Sequence, residues 1–120
     1  MKKIETLIED IYSTVNSGKE WFTNDISESL GKAVADRLTI HYAPRTNKGT
    51  LRLSQMGPKC PCALWYSYHH PELVEPLPAH AMLKYSYGHI IEAQTIALAK
   101  AAGHEVCGEQ DELDVDGIKG

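Results

Sequence analysis

The sequence predicts a mostly helical α+β chain. Three observations carry that expectation. Apolar residues recur at helical spacing through residues 2–15 and again through about 25–38. An alanine-rich run without proline covers about 79–102. Short β-prone pieces punctuated by glycines follow it up to the last residue, Gly120.

Taken in order, the first helix presents Ile4, Leu7, Ile8, Ile11 and Val15 as one stripe, and Asn16-Ser17-Gly18 stops it. The second has Thr23 or Asn24 as N-cap and Ile26, Leu30, Val34 and Leu38 on one face. Residues 39–59 hold Pro44, Asn47-Lys48-Gly49 and Gly57-Pro58, which predict irregular chain with a short extended piece at 50–53. A short helix is expected over 61–68, opened by Pro61. Pro71, Pro76 and Pro78 then keep the chain extended. The long helix closes at Gly103, with Lys100 in its last turn. After it, 104–107 and 112–115 read as two short strands separated by Gly108. There is no internal repeat and no low-complexity tract.

Length allows one domain, since 120 residues bury roughly two-thirds of their unfolded surface. With 42% hydrophobic and 23% charged residues the composition is globular, which excludes disorder of the whole. No apolar run approaches the ~18–20 residues of a membrane span, and Glu5, Glu9 and Asp10 interrupt any signal peptide. Three cysteines, an odd number, suit a reducing compartment, so the reading is cytoplasmic with no membrane partner.

Charge is unevenly placed along the chain. Residues 1–60 carry nine Lys/Arg against seven acids, and residues 61–120 carry three against nine. Between Asp36 and Glu72 no acid occurs, while Arg37, Arg45, Lys48, Arg52 and Lys59 all fall there. Such a stretch can follow a phosphate backbone or simply be a solvated basic surface. Trp65, Tyr66 and Tyr68 add rings on which bases can stack.

Within the long helix, Glu92 shares a face with Tyr85, Gly88, His89, Thr95 and Ile96. A carboxylate on a largely apolar face is paired, protonated or metal-bound; at a face boundary it is merely solvated. His89, three residues away, makes a possible acid–base or metal pair with it, or an ordinary surface pair. Cys60-Pro61-Cys62, His69-His70 and Cys107 do not have the spacing of a zinc site, and three cysteines cannot hold a four-cysteine iron–sulfur cluster. Asp116 and Lys119 are separated by two residues, so they do not make an acid-x-Lys pair on one strand face.

The run Leu51-Arg52-Leu53-Ser54-Gln55-Met56-Gly57-Pro58-Lys59-Cys60-Pro61, followed by Leu64-Trp65-Tyr66, resembles the opening signature of phage-type PD-(D/E)XK exonucleases. These are relatives of the RecB nuclease domain and of CRISPR-adaptation exonucleases. Tyr87-Gly88-His89-Ile90-Ile91-Glu92 resembles that family's motif I, Y-G-x-x-x-E. The segment from Leu98 to Val106, with Gln110 and Gly117-Ile118-Lys119-Gly120, is similar in order and spacing. The resemblance covers residues 50–120. It implies the first helix and first strands of a nuclease core over 50–120, preceded by the helical region 1–49 that the apolar spacing predicts. It implies Glu92 and, beside it, His89 as catalytic candidates. Mg²⁺ or Mn²⁺ would be held partly by Glu92 in the complete enzyme. The acid-free basic stretch and its rings add Arg37, Arg45, Lys48, Arg52, Lys59, Trp65 and Tyr66 as DNA-contact candidates.

Two departures stand out. Where the family commonly has Arg after Cys-Pro, this chain has Cys62. The aspartate of motif II and the Asp/Glu-x-Lys of motif III, which follow G-I-K-G in the family, would lie beyond Gly120. The expectation is therefore a partial domain with an open sheet edge at 104–116, catalytically silent alone and incapable of binding the metal tightly. Such a chain is expected to form a homodimer or to pair with a complementary C-terminal half. A non-catalytic DNA-binding or protein-interaction module is the alternative.

Overall fold

The computed structural model describes residues 2–44, 51–57, 60–109 and 111–120. It is mostly helical with one small antiparallel hairpin, as the α+β expectation has it. The chain divides into two compact units, Met1–Ala43 with Pro78–Cys107 and Pro44–Leu77 with Gly108–Gly120. Each is described by itself.

The first unit holds three α-helices. After a 3-10 turn at Ile4–Thr6, α1 spans Leu7–Asn16 and ends where Gly18 takes a φ of +76°. That left-handed value suits a residue without Cβ. The buried side of α1 differs from the expected stripe. Leu7, Asp10, Ile11 and Thr14 are half-buried, while Ile4, Ile8 and Val15 face solvent, Ile4 at 81% exposure. The stripe was wider than the contact, and α1 has rolled to place Asp10 inward.

Helix α2 spans Asn24–Tyr42. Thr23 caps it, its Oγ1 accepting from the Ile26 N–H at 3.4 Å. Ile26, Leu30, Val34 and Leu38 line its inner face as expected, joined by Arg37 and then by buried His41. Residues 39–42 are thus helical and not irregular: the face that packs on its neighbour continues one more turn, and Pro44 stops it.

Helix α4, Ala79–Ala101, is packed by both α2 and α1; the intervening helix α3, Pro61–His69, lies in the second unit. Its C-terminus is a Schellman arrangement, with the His104 N–H bonded to Ala99 O and the Gly103 N–H to Lys100 O, each at 3.0 Å. Gly103, at φ +85°, makes the turn. The buried apolar residues among those described are Ala93, Ala97, Ala99 and Ala102. Small side chains let neighbouring helices approach closely, but each methyl contributes only about 0.8 kcal/mol on burial, against roughly 1.5–3 for a Leu or Ile.

In the second unit a 3-10 turn covers Leu53–Gln55, α3 spans Pro61–His69 with Pro61 at its first position, and a second 3-10 turn covers Pro71–Leu73. Of the extended piece expected at 50–53, Thr50 lies outside the described residues, and Arg52 makes an isolated parallel bridge with Lys119. Pro71 opens a turn and so does not keep its segment extended.

The hairpin also lies elsewhere than expected. Strands β1, Asp114–Val115, and β2, Ile118–Lys119, pair antiparallel, and residues 104–107 form no strand. Asp116 and Gly117 both have positive φ, 53° and 83°, the combination of a two-residue type I′ turn. Leu113 and Gly120 exchange both backbone hydrogen bonds, at 3.0 and 2.8 Å. Lys119 N–H donates to Leu51 O at 3.0 Å, so the outer edge of β2 has a backbone partner there. No helix among the described residues is long and apolar enough to cross a membrane.

Candidate functional site

Helix packing brings Arg37, His89 and Glu92 together on the α2–α4 face. Arg37 lies between Val34 and His41 on the inner stripe of α2, which turns its guanidinium toward α4. One Nη sits 3.8 Å from Glu92 Oε2 and donates to His89 O at 3.5 Å. The Arg37 side chain is only 10% exposed, whereas Glu92 is 45% exposed. A largely desolvated guanidinium thus meets a carboxylate that still reaches water.

His41 completes the group. Its Nε2–H donates to Met82 O at 2.9 Å, and its ring meets the His89 ring edge-on with centroids 5.1 Å apart. The bond to a carbonyl places the proton on Nε2. His41 was not among the sequence candidates. Its signal was available, because it falls seven residues after Val34 and three after Leu38 on the same stripe.

A second polar group fastens α1 to the end of α4. His104, 7% exposed, donates Nε2–H to Asp10 Oδ2 at 2.9 Å, and Lys2 Nζ lies 3.2 Å from Asp10 Oδ1. Thr6 Oγ1 also donates to Asp10 at 2.9 Å. The Thr6 hydroxyl first, then His104 and Lys2, hold the Asp10 carboxyl below its ordinary 3.8.

In the other unit, α3 carries the aromatic candidates. Trp65, Tyr66 and Tyr68 are exposed. Trp65 lies 4.4 Å from the His69 ring at a 36° tilt, and Tyr66 lies 6.0 Å from His70. His70 Nδ1 is 3.1 Å from Glu72 Oε1. Arg52 is exposed in the same unit, and its N–H donates to Gln55 Oε1 at 3.2 Å. Arg45, Lys48 and Lys59 lie outside the described residues. The DNA-contact candidates are therefore distributed between the two units, Arg37 in the first and Arg52, Trp65 and Tyr66 in the second.

Among the described residues no three His, Cys, Asp or Glu side chains gather as a metal site requires. Mg²⁺ takes near-octahedral oxygen ligands. Glu92 with Arg37 beside it does not fit a complete site for Mg²⁺ or Mn²⁺, and no cleavage step follows from these residues. No family model, no curated protein and no solved structure matches the chain.

Proposed function

We propose that this chain is a DNA-contacting part of a metal-dependent exonuclease of phage type, that it contributes the single acidic residue Glu92, and that it does not cleave DNA by itself. The resemblance over residues 50–120 motivates the reading. The observation that carries it is the position of Glu92: a solvent-reaching carboxylate on a rigid helix, one turn from His89 and faced by Arg37. A helix holds a ligand more accurately than a loop does. The test is incubation of the pure chain with linear duplex DNA and Mg²⁺ or Mn²⁺. Intact DNA together with salt-sensitive binding is expected. Robust degradation, or no binding to single- or double-stranded DNA, would overturn the reading.

A second reading, association through exposed apolar surface, is favoured by the alanine core. Ile4, Ile8, Leu83 and Ile91 are all more than half exposed, apolar surface that a partner would cover. A homodimer or a complex is the expected state. Light scattering during size exclusion at micromolar concentration decides it, and a monomer with a cooperative melt would refute it.

A further inference from the structure

We propose that Cys60 and Cys62 form a dithiol–disulfide couple that exchanges with small-molecule disulfides. The two residues flank Pro61, the first residue of α3. Cys60 is the N-cap, with extended backbone at φ −54° and ψ 133°, and Cys62 is the second residue of the helix. Both thiols are free and exposed. With consecutive Cα atoms about 3.8 Å apart, residues two apart lie no more than roughly 7 Å from each other. Disulfides span about 4.4–6.8 Å between Cα atoms, so the chain spacing of this pair is compatible with closure.

The surroundings favour the thiolate that exchange requires. Cys60 makes no formal capping hydrogen bond. Even so, the N–H of Ala63 first, then the N–H of Cys62 and more weakly the Cys62 thiol, hold its sulfur below the ordinary thiol value of 9.0. This is the usual effect of a helix N-terminus on a cysteine. No acid lies near the pair along the chain, since none occurs between Asp36 and Glu72. No third ligand joins the two sulfurs among the described residues, which leaves thiol chemistry as the use for the pair rather than a complete zinc site. The inference stands apart from the nuclease reading.

In the exchange, the Cys60 thiolate attacks one sulfur of a disulfide RSSR. A bond from Cys60 Sγ to that sulfur forms, the S–S bond breaks, and RS⁻ leaves and takes up the proton Cys60 lost. Cys62, giving up its own proton, then attacks Cys60 Sγ and expels the second RS⁻, which is protonated in turn. The protein loses two electrons and two protons, and RSSR becomes two RSH. Glutathione disulfide is a suitable oxidant of this class.

The reduced full-length chain is incubated with glutathione disulfide near neutral pH, quenched with acid and mapped by mass spectrometry. The wild type should lose two hydrogens in mass, with an internal Cys60–Cys62 link. Cys60→Ser and Cys62→Ser should each retain a glutathione adduct on the cysteine that remains of the pair. Cys107→Ser should behave as wild type, and iodoacetamide should label Cys60 severalfold faster than Cys107. All three replacements are at solvent-facing positions, and far-UV circular dichroism checks that each variant keeps its helices. The proposal is overturned by stable adducts on Cys60 or Cys62 without the internal link, by interchain bridges through them, by an unmodified wild type, or by Cys107 reacting first.

Discussion

With 5% of its surface exposed and its ring proton given to Met82 O, His41 is a structural part of the α2–α4 contact. His41→Ala removes both a hydrogen bond and a buried ring, and should cost about 2–4 kcal/mol in denaturant unfolding. Glu92→Gln, at a half-exposed ion pair, should cost less than about 1 kcal/mol. Equal losses for the two would contradict the division of roles between the neighbouring side chains. Asp10 gives a pH dependence with a defined sign. Its folded-state pKa lies below the ordinary 3.8, so its contribution is complete above that value and is lost as pH falls through the depressed one. Asp10→Asn should therefore lower the melting temperature at neutral pH, and the gap to wild type should close at strongly acidic pH. A gap that stays constant into acid would show that the Thr6–His104–Lys2 cluster does not act through the Asp10 charge.

At the scale of elements, α4 and the terminal hairpin are the most exposed to single changes. Ala97 sits 9% exposed where another helix approaches, so Ala97→Leu forces that contact apart at about 1–3 kcal/mol. A thermal melt that rises instead would show spare room at the interface. Gly117, at φ +83°, bears the turn between β1 and β2, and Gly117→Ala should cost roughly 1–2 kcal/mol there. The hairpin is only two residues deep on each side, so the loss appears locally. Amide exchange at Leu113 and Gly120 should accelerate while the α4 amides keep their protection. Unchanged exchange at those two amides would mean the turn is not what holds the pairing.

For the whole molecule, the proposed DNA contact makes a salt prediction that separates Arg37 from Arg52. Each phosphate neutralised adds about 0.7–0.9 to the log–log salt slope. Arg52 is exposed, so Arg52→Ala should reduce the slope by about one such step. The Arg37 guanidinium is already turned toward Glu92 and His89 O, so Arg37→Ala should leave the slope near its original value. A larger change at Arg37 than at Arg52, measured by fluorescence anisotropy over a salt series, would reverse the assignment.

Local chemistry determined where the helices begin and end. Thr23 caps α2, Gly18 ends α1, Pro61 opens α3 and Gly103 closes α4, because caps and backbone dihedral limits depend only on adjacent residues. The Asp116-Gly117 turn was equally local. Its two left-handed residues fix the register of β1 and β2, whereas the β-prone residues 104–107 form no strand. Of the candidate site, Glu92 and His89 were legible as residues of one helix face. Tertiary structure alone decided that Arg37 would join them and that His41 would be buried beside them, since both depend on which side of α2 meets α4. It also decided that α1 turns a half-buried Asp10 inward while Ile4 and Ile8 face solvent, through a bond to His104, 94 positions away. An apolar stripe states that a helix has an inner side, but the partner's shape and its polar atoms select which residues occupy it.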